Sequence, residues 1–530
     1  MKKAVKYISL LLAALMLLSC GCAAQGEEEA YVPTGNALLM EGQDPEDIMP
    51  TEEPVQSLTL AYDPTRSMNP LIGYNLNNRT LFSLMYQSLF ATDSKGVSWP
   101  ILCSGYDVTP DNQIWTFYVD PSATFSDGSY LSVDDVYASY QAAQQTDYYK
   151  GRFHYYVNRY EIQNGAIVFY LNAPMENLPI LLDIPIVKAA DVEATHPRGT
   201  GPYEFAKGLS GAYLRKVLSW WGGKDIVAFD DSIDLVECTD EAMTRDEFQF
   251  GDVGVVCTNP LSDNYAEYRC DYELWDVESG MFLYLGCNVL YSDYFDDGVL
   301  RQVLTYAIDR STINEQFYHG HAQVATLAAP PSSPHYSTSL AAKYEYDSMK
   351  FIDEISGWTI PKDKDNPDRK LRLLVNCDDS ARLRTARYIA AALTEFGIPC
   401  GTLEYGATTK PTYETVLRAN TFDIYLGQTR LSPNNDLSEF FRLWGNLSWG
   451  GIPNDNILKM CKDTLENSGN YYNLLELIAE DGRIIPILYG SYAVYAKRGL
   501  LPELSPSRDN VFFYTMGKSM EDIRLDTNSN

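Results

Sequence analysis

Apolar residues along the chain follow two different spacings. Short apolar or alternating runs predict strands at 58–62, 115–119, 166–171, 422–426 and 484–488. Asn164-Gly165 precedes the third run and predicts a tight turn. Helical spacing covers 300–308 and 382–396, and Gly397 is placed to end the second helix. Strands that alternate with helices predict α/β domains with mixed sheets.

The segment FSDGSYLSVDDVYASY, residues 125–140, contains three acids that could suggest catalysis or metal binding. Asp127-Gly128 is a tight-turn dipeptide. Ser132 stands where a helix should begin, and Asp135 lies three residues later, as in a capping box. Asp134 and Asp135 also fall in the first turn, where the helix dipole favours negative charge. Each acid therefore has a structural role, and we interpret the segment as scaffold.

The N-terminus has the pattern of an export signal. Lys2, Lys3 and Lys6 precede the apolar run from Ile8 to Leu18, which is too short for an ordinary membrane-spanning helix. The run ends in Leu17-Leu18-Ser19-Cys20, which resembles the bacterial lipobox. We predict a signal peptide at 1–19 and lipidation of Cys20, with Cys22 as the alternative residue. Ordinary secretion with free cysteines is the other interpretation.

The segment after the signal peptide is acidic and rich in proline. Residues 26–54 contain nine acids and no Lys or Arg, with prolines at 33, 45, 50 and 54. Such a composition cannot bury enough apolar surface to offset chain entropy. We therefore predict that residues 20–54 form a lipid-anchored tether. As a flexible coil it would reach roughly 30–35 Å.

Length and charge narrow the possible functions. The 530 residues suggest about two to four domains. The formal net charge of −30 argues against a nucleic-acid partner, because phosphate affinity comes mainly from Lys and Arg. Eight cysteines follow the tether and form no C-x-x-C pair, which argues against a zinc site. Most are expected to be buried single thiols, although one or two disulfides remain possible.

Several blocks of residues, in a fixed order, carry a family resemblance. They are MNPL at 68–71, YQSLF at 86–90, QIWTF at 113–117, FSDG at 125–128, GTGPY at 199–203, Asn288, DGVLRQVLTYAID at 297–309 and GHA at 320–322. In this order and spacing they resemble the family-5 solute-binding proteins of ABC importers, the oligopeptide-, dipeptide- and nickel-binding group. The blocks cover residues 58–325, and a weaker pattern of helices and strands extends to about residue 500.

The resemblance implies an α/β fold of the periplasmic-binding-protein type (type II, cluster C). Two lobes would close on a solute about a hinge, and an extra α/β domain would be inserted in the N-terminal lobe. Lobe I would comprise 55–80, 186–275 and 485–530, the extra domain 81–185, and lobe II 276–484. Hinges would then lie near residues 275 and 485.

The resemblance also implies a function. The chain would be a monomeric, extracytoplasmic lipoprotein on the cell membrane that captures a small solute, a peptide by family default. It would deliver this solute to the transmembrane subunits of an ABC permease, without a cofactor or a bound metal. A lipoprotein sensor or adhesin on the same scaffold is the alternative.

The expected ligand site departs from the family pattern. Peptide-binding relatives commonly carry an Asp in a W-x-x-D-Y stretch, which pairs with the ligand's ammonium group. Here Ser432 takes that position and Arg430 stands nearby, where a guanidinium would suit a carboxylate. Alternatively, Arg430 pairs with Asp436 or Glu439, or Asp436 itself binds an ammonium. The candidate ligand-binding residues are Arg430, Asp436, Trp444, Trp449 and Asn288, although the two tryptophans could equally pack in a core.

Catalytic motifs are not found. The five histidines form no HExxH motif, and the sequence contains no G-x-S-x-G elbow, P-loop or EF-hand loop. We therefore expect no catalytic residues and a protein that is not an enzyme. A secreted hydrolase with two carboxylates across a cleft is the less favoured alternative.

Overall fold

The computed structural model describes residues 57–72, 75–223, 230–262, 268–361, 368–501 and 503–525. The predicted signal peptide, the tether, Cys20 and Cys22 lie outside the described residues. No helix in these ranges combines the length and the apolar character that crossing a bilayer requires.

The first half of the described chain is rich in strands. These are β1 (Thr59–Tyr62), β2 (Phe90–Thr92), β3 (Ser98–Pro100), β4 (Cys103–Val108), β5 (Ile114–Val119), β6 (Val157–Gln163), β7 (Ala166–Leu171), β8 (Tyr203–Gly208), β9 (Gly211–Lys216), β10 (Ser232–Glu237) and β11 (Val255–Thr258). Its helices are α1 (Leu76–Met85), α2 (Val133–Ala143), α3 (Gly151–His154) and α4 (Glu241–Phe250).

The second half begins with the longest strand. Its strands are β12 (Tyr272–Cys287), β13 (Gln323–Val324), β14 (Leu371–Asn376), β15 (Cys400–Tyr405), β16 (Ile424–Arg430) and β17 (Ile484–Lys497). Its helices are α5 (Val299–Val303), α6 (Arg310–Phe317), α7 (Thr338–Ala341), α8 (Ser348–Ile355), α9 (Ser380–Glu395), α10 (Tyr413–Arg418), α11 (Ser438–Phe441), α12 (Asp455–Glu466) and α13 (Tyr471–Asp481).

One large mixed sheet organises these elements. Its strands lie in the order β15-β14-β16-β12-β17-β11-β1-β10-β9-β8. A further short strand, β13, also pairs with β17. A separate antiparallel sheet has the order β4-β5-β7-β6, and β2 pairs with β3. The predicted α/β class with mixed sheets is therefore confirmed.

Buried apolar side chains form separate cores toward the two opposite ends of the paired strands β12 and β17. One core combines residues from 58–257 with Val277 and residues from 494–523, and it includes the four-stranded sheet. Two further cores draw all their buried members from 282–489. The described chain thus divides its cores at the middle of β12, between Val277 and Phe282. The domain boundaries predicted from the resemblance stay predictions.

Several local predictions are confirmed. Asn164 and Gly165 both have positive φ, 50° and 78°, and join β6 to β7. The Ser132 N–H donates to Asp135 Oδ2 at 2.9 Å in the predicted capping box. Asp127 accepts from the Ser129 N–H at 3.0 Å and pairs with Lys188 at 2.6 Å. The acids of residues 125–140 therefore serve as scaffold.

Among the described residues, no group of three or more His, Cys, Asp or Glu is placed to hold a metal ion.

Other predictions need correction. The helix expected over 300–308 is divided into α5 and a 3-10 turn at Leu304–Ala307. The strand expected at 422–426 begins two residues later and runs to Arg430. The strand expected at 484–488 continues to Lys497, because it pairs with β12 along its whole length and also with β11 on its other edge near its end.

The eight cysteines that follow the tether are free thiols, and six of them are buried. Burial raises the pKa of Cys257 to about 11 and that of Cys400 to about 12. The expectation of mostly buried single thiols is confirmed.

Asp423 fixes the start of β16. Its fully buried carboxylate accepts from Arg372 Nε at 2.9 Å and from Ser292 Oγ at 2.7 Å. Arg369 adds a third contact at 3.2 Å. Burial alone would raise the pKa of Asp423, but the hydrogen bonds from Arg372 and Ser292 outweigh it and hold the pKa below its ordinary value.

We predict that Asp423→Ala lowers the free energy of unfolding by about 3 kcal/mol, because it leaves two arginines without their shared carboxylate. Urea denaturation followed by tryptophan fluorescence measures this loss. Asp463→Ala is the matched control, since Asp463 pairs with the exposed Lys459. Its effect should stay below about 0.5 kcal/mol. Equal losses in the two variants would contradict the role assigned to Asp423.

Candidate functional site

The parallel strands in both halves of the large sheet end at the same place. β1 runs parallel to β10 and β11, and β14 runs parallel to β15 and β16. Thr258, the last residue of β11, lies opposite Ala493 of β17, and Arg430, the last residue of β16, lies opposite Met281 of β12. Ligands of open α/β sheets bind outside the carboxyl ends of the strands. The middle of β12 and β17, which we call the crossing, is therefore the candidate site.

A β-bulge interrupts the pairing of β12 with β17 at the crossing, between Glu278 and Phe282. Gly280 in the bulge has φ +81° and lies against the Arg508 guanidinium, which would clash with a Cβ at this position. Ser279 Oγ donates to the Gly490 carbonyl of β17 at 2.7 Å. The crossing thus combines a bend in one strand with glycine in both strands, where backbone rotation is least restricted.

Arg430 lies directly on this bulge. Its Nε and Nη2 donate to the Ser279 carbonyl at 3.0 and 2.7 Å, and Nη2 lies 3.3 Å from the Tyr492 hydroxyl. Its guanidinium carbon is 4.6 Å from the centre of the Tyr148 ring. The contacts of Arg430 therefore join β16, β12, β17 and the segment between α2 and α3.

Arg430 also lines a cavity of about 1120 Å³, which we call the Arg430 cavity. The other walls come from the segment after β1, from α2 with the segment after it, and from residues 189–193. Its aromatic lining is Tyr148 and Tyr149, and its acids are Asp147 and Glu193. This volume is large enough for a small organic solute.

Behind Tyr148 lies a buried group of charged residues that we call the Asp509 cluster: Asp509, Arg79, Arg152 and Tyr148. Asp509 accepts from Arg79 at 2.6 Å, from Arg152 at 2.9 Å and from the Tyr148 hydroxyl. Burial opposes ionisation of Asp509, but the two arginines outweigh it and hold its pKa well below the ordinary range. The cluster is therefore ionised, and Tyr148 connects it to Arg430.

A second cavity, of about 780 Å³, lies on the other side of the Asp509 cluster, and we call it the Glu278 cavity. Its lining includes Asp276 and Glu278 of β12 and Arg508. Asp276 pairs with His321 at 2.6 Å. A small cavity of about 30 Å³ shares Tyr148 with the Arg430 cavity and Asp509 with the Glu278 cavity. The cluster thus separates two cavities at the crossing.

Two of the predicted site residues have structural contacts. Asp436 accepts from Ser438 N and Oγ at 2.9 and 2.6 Å and from the Tyr156 hydroxyl at 3.0 Å. The fully buried Asn288 donates to the carbonyls of Asn420 and Phe422. Neither side chain lines the cavities described above. Ligand contact by Asp436 or Asn288 stays a prediction. The location of both side chains outside these cavities does not favour it.

The two predicted tryptophans differ in their surroundings. Trp444 is 89% exposed, with φ +64°. Trp449 is partly buried against a core of the second half, and the Arg418 guanidinium lies 5.5 Å from its ring centre. Neither tryptophan lines the cavities at the crossing. Among the candidate ligand residues, the crossing therefore includes Arg430 alone.

Sequence reasoning did not find Arg79, Arg152, Tyr148 or Asp509. Of the four, only Arg79 has a distinctive position. It lies in α1, where the residues from Asn78 to Met85 are buried. An arginine in such a helix needs a buried partner. The partner, Asp509, lies 430 residues away in the chain, so the sequence alone could not identify it.

Asp183 makes the free energy of unfolding depend on pH. Burial and the nearby charge of Asp509 raise the pKa of Asp183 to about 6, from an ordinary value of 3.8. The folded chain therefore binds this proton more tightly than the unfolded chain, and the contribution of Asp183 to stability falls as pH rises from about 4 to about 6. The depressed pKa of Asp509 acts in the opposite direction, but only below its ordinary value of 3.8.

We predict that Asp183→Asn removes this fall. Between pH 4 and pH 7 the wild-type chain should lose unfolding free energy relative to the variant, as measured by urea denaturation at several pH values. Asp353→Asn, on the exposed face of α8, is the control and should follow the wild-type profile. Parallel profiles for the wild-type chain and Asp183→Asn would show that Asp183 titrates in the same way in the folded and unfolded chains.

Comparison with known proteins relates this geometry to a family. The family model described as "Bacterial extracellular solute-binding proteins, family 5 Middle" matches residues 99–451. The chain is 25% identical over 281 residues to the glutathione-binding protein GsiB of Salmonella typhi, covering 50% of this chain and 54% of that protein. It is 24% identical over 346 residues to the oligopeptide-binding protein AppA of Bacillus subtilis (strain 168), covering 60% and 63%.

These matches span about half to three-fifths of the length of the curated relatives. Similarity of fold extends further. A crystal structure of a nickel ABC transporter protein from Bacillus halodurans superposes with a TM-score of 0.69 at 15% identity, covering 87% of this chain and 99% of that chain. The periplasmic-binding-protein-like fold expected from the sequence is confirmed. The chain belongs to the bacterial extracellular solute-binding proteins of family 5.

Proposed function

We propose that the chain is a lipid-anchored receptor of an ABC importer, which captures a small solute at the crossing and delivers it to a membrane permease. The observation that carries this proposal is the convergence of parallel strands from both halves of the sheet on the crossing, beside the Arg430 cavity. Binding by closure of two lobes needs a ligand space between them and only a few strands to connect them. Two strands, β12 and β17, cross between the proposed lobes, and the Glu278 cavity is lined by residues of both lobes, which supports the proposal.

The proposed lobes are those implied by the sequence: 55–80, 186–275 and 485–530 against 276–484, with the extra domain at 81–185. We place the hinge at the β12 bulge and at Gly490, about five residues from the positions expected from the resemblance. The separation of the buried cores at the bulge supports this position. Rotation here bends two strands and leaves each core packed.

A peptide-like solute is the proposed ligand class. The names of two relatives, a glutathione-binding protein and an oligopeptide-binding protein, support it. Closure shifts an equilibrium and requires no chemical step, so the proposal includes no catalytic residue and no cofactor. A sensor or adhesin would use the same cavity but would not associate with a permease, and co-purification with permease subunits would distinguish the two functions.

We predict that binding compacts the protein. Small-angle X-ray scattering with a pool of di- and tripeptides and glutathione should give a smaller radius of gyration than buffer of equal osmolarity, because closure reduces the separation of the lobes. Native mass spectrometry identifies the bound solute. Binding without compaction would contradict closure, no binding would contradict the receptor function, and conversion of the bound solute to a product would favour the hydrolase alternative.

We predict that Cys20→Ala abolishes lipid attachment and that Cys22→Ala retains it, because Cys20 directly follows the lipobox-like residues 17–19. Metabolic labelling with an alkyne fatty acid, followed by membrane fractionation, measures both properties in a bacterial host. Labelling that depends on Cys22 would move the lipidation site by two residues. Secretion of the unmodified wild-type chain would contradict a lipid anchor.

A further inference from the structure

The proposed extra domain contacts the proposed lobe II directly, away from the paired strands of the crossing. On the side of the extra domain the contacts come from Tyr155 and Tyr156, which follow α3, and from Glu176, which follows β7. On the side of lobe II they come from residues 434–446, around α11, and from residues 465–468, at the end of α12. We call this set the interlobe contacts.

The buried member of the interlobe contacts is a hydrogen bond between Tyr156 and Asp436. The Tyr156 hydroxyl donates to Asp436 Oδ2 at 3.0 Å, and Tyr156 is 8% exposed. Burial, followed by the charge of Asp436, raises the pKa of Tyr156 well above its ordinary value, so the hydroxyl keeps its proton and acts as the donor. A hydrogen bond is stronger in a less polar medium than in water. We therefore expect this one to contribute more than the exposed contacts do.

The other interlobe contacts lie nearer the surface. Asn446 Nδ2 donates to the Tyr155 hydroxyl at 2.6 Å. The Ser468 N–H donates to Glu176 Oε2 at 2.6 Å, and the Glu176 N–H donates to the Leu465 carbonyl at 2.9 Å. The side chain of Leu465 also packs against the core that includes the four-stranded sheet. The extra domain and lobe II are thus joined by several separate contacts, both polar and apolar.

The interlobe contacts connect two parts of the chain that have separate buried cores. The core of the four-stranded sheet also includes residues of β1 and β11, so the extra domain is packed onto lobe I. The two other cores draw all their buried members from 282–489. Opening at the β12 bulge, the hinge proposed above, would move the extra domain together with lobe I, because packed cores move as units. The hydroxyl of Tyr156 would then leave Asp436, so the interlobe contacts require closed lobes.

The interlobe contacts also form part of the wall of the Glu278 cavity. Glu176 lines this cavity from the extra domain, and Asn434, Leu465 and Ser468 line it from lobe II. Asn434 Oδ1 lies 3.5 Å from the Tyr156 hydroxyl. Residues that line the cavity therefore either make the interlobe contacts or lie beside them. Separation of the extra domain from lobe II would open the cavity at this place.

We propose, on the basis of the receptor function proposed above, that the interlobe contacts form a gate of the Glu278 cavity. Solute would enter and leave when the extra domain separates from lobe II, and the contacts would hold the cavity shut between these events. The rate of release would then depend on side chains that need not touch the solute, because a lid must open before a bound molecule can leave. Asp436, a candidate ligand residue from the sequence, would act in the gate.

The first experiment tests whether the two walls meet in solution. Glu176→Cys and Ser468→Cys are combined in one chain, since the Glu176 side chain contacts the Ser468 N–H. A short bifunctional methanethiosulfonate, whose bonds to cysteine are cleaved by reductant, is then added. Mass spectrometry should find a cross-link in the double variant and none in either single variant. Modification of both new cysteines without a cross-link would overturn the gate.

The second experiment tests whether solute passes the gate. Isotopically labelled dialanine and trialanine serve as probes, and the bound label is measured after gel filtration. Label added before cross-linking should leave the double variant at least about tenfold more slowly than label in the uncross-linked chain, as expected for a lid that cannot open. Label added after cross-linking should be excluded, and reductant should restore both binding and release.

Point variants test the buried hydrogen bond. Tyr156→Phe keeps the ring and removes the hydroxyl, so it should release the probes roughly tenfold faster, as expected for loss of one hydrogen bond to a carboxylate. The matched control is Tyr160→Phe, because the Tyr160 hydroxyl accepts from Gln144 within the extra domain. This control should release the probes at the wild-type rate. Thermal unfolding equal to wild type would show that Tyr156→Phe remains folded, and an unchanged release rate in that folded variant would overturn the gate.

The possible failures are distinguishable. If the probes bind but exchange equally fast before and after cross-linking, the gate is overturned and the receptor function stands. If neither probe binds and native mass spectrometry finds another solute, retention of that solute after cross-linking supports the gate, and its loss overturns the gate. If no solute binds at all, the receptor function fails, and the gate fails with it even where the cross-link forms.

Discussion

The antiparallel pairing of β12 with β17 is the constraint on which the rest of the structure depends. The two strands have 16 and 14 residues. Together they join the two halves of the sheet, because β12 pairs with β16 and β17 pairs with β11. Without this pairing the two sets of parallel strands would not end at a common place. The cavities, the bulge and the position of Arg430 all follow from it.

The Asp509 cluster shows what is required to keep charges inside such an arrangement. Removing an ion from water costs several kcal/mol unless partners replace its hydration. Asp509 obtains these partners from α1, from the segment before α3 and from α3 itself, since Arg79, Tyr148 and Arg152 lie there. An apolar replacement could match the stability. We interpret the role of the cluster as positional, because Asp509 accepts from the Tyr148 hydroxyl and the Tyr148 ring lies against Arg430.

Local features of the fold were predictable because their causes lie within a few residues. The Asn164-Gly165 turn, the capping box of Ser132 and Asp135, and the end of α9 shortly before Gly397 each depend on side chains or dihedral angles close in sequence. The extent of β12 and β17 was not predictable, since it is set by pairing between residues 198 to 225 positions apart.

The candidate site was predictable in part for the same reason. Arg430 is the last residue of β16, close after the apolar run of that strand, and its type and position predicted a place at the candidate site. Asn288 stood out in the sequence because it belongs to a block shared with the family, but the side chain braces two backbone carbonyls. The Asp509 cluster joins residues 79, 152 and 509, and each is an ordinary charged residue in its own segment.

Burial of the thiols determines when the cysteines of an exported chain can be oxidised. Disulfide exchange requires a thiolate and physical access, and the native fold withholds both from cysteines such as Cys257 and Cys400, because burial raises the pKa of each. Before folding, all eight are accessible at once. Outside the cytoplasm the surroundings are oxidising, so wrong disulfides form readily. On export, the chain would therefore be at greatest risk of oxidation between translocation and folding, and rapid folding would protect it.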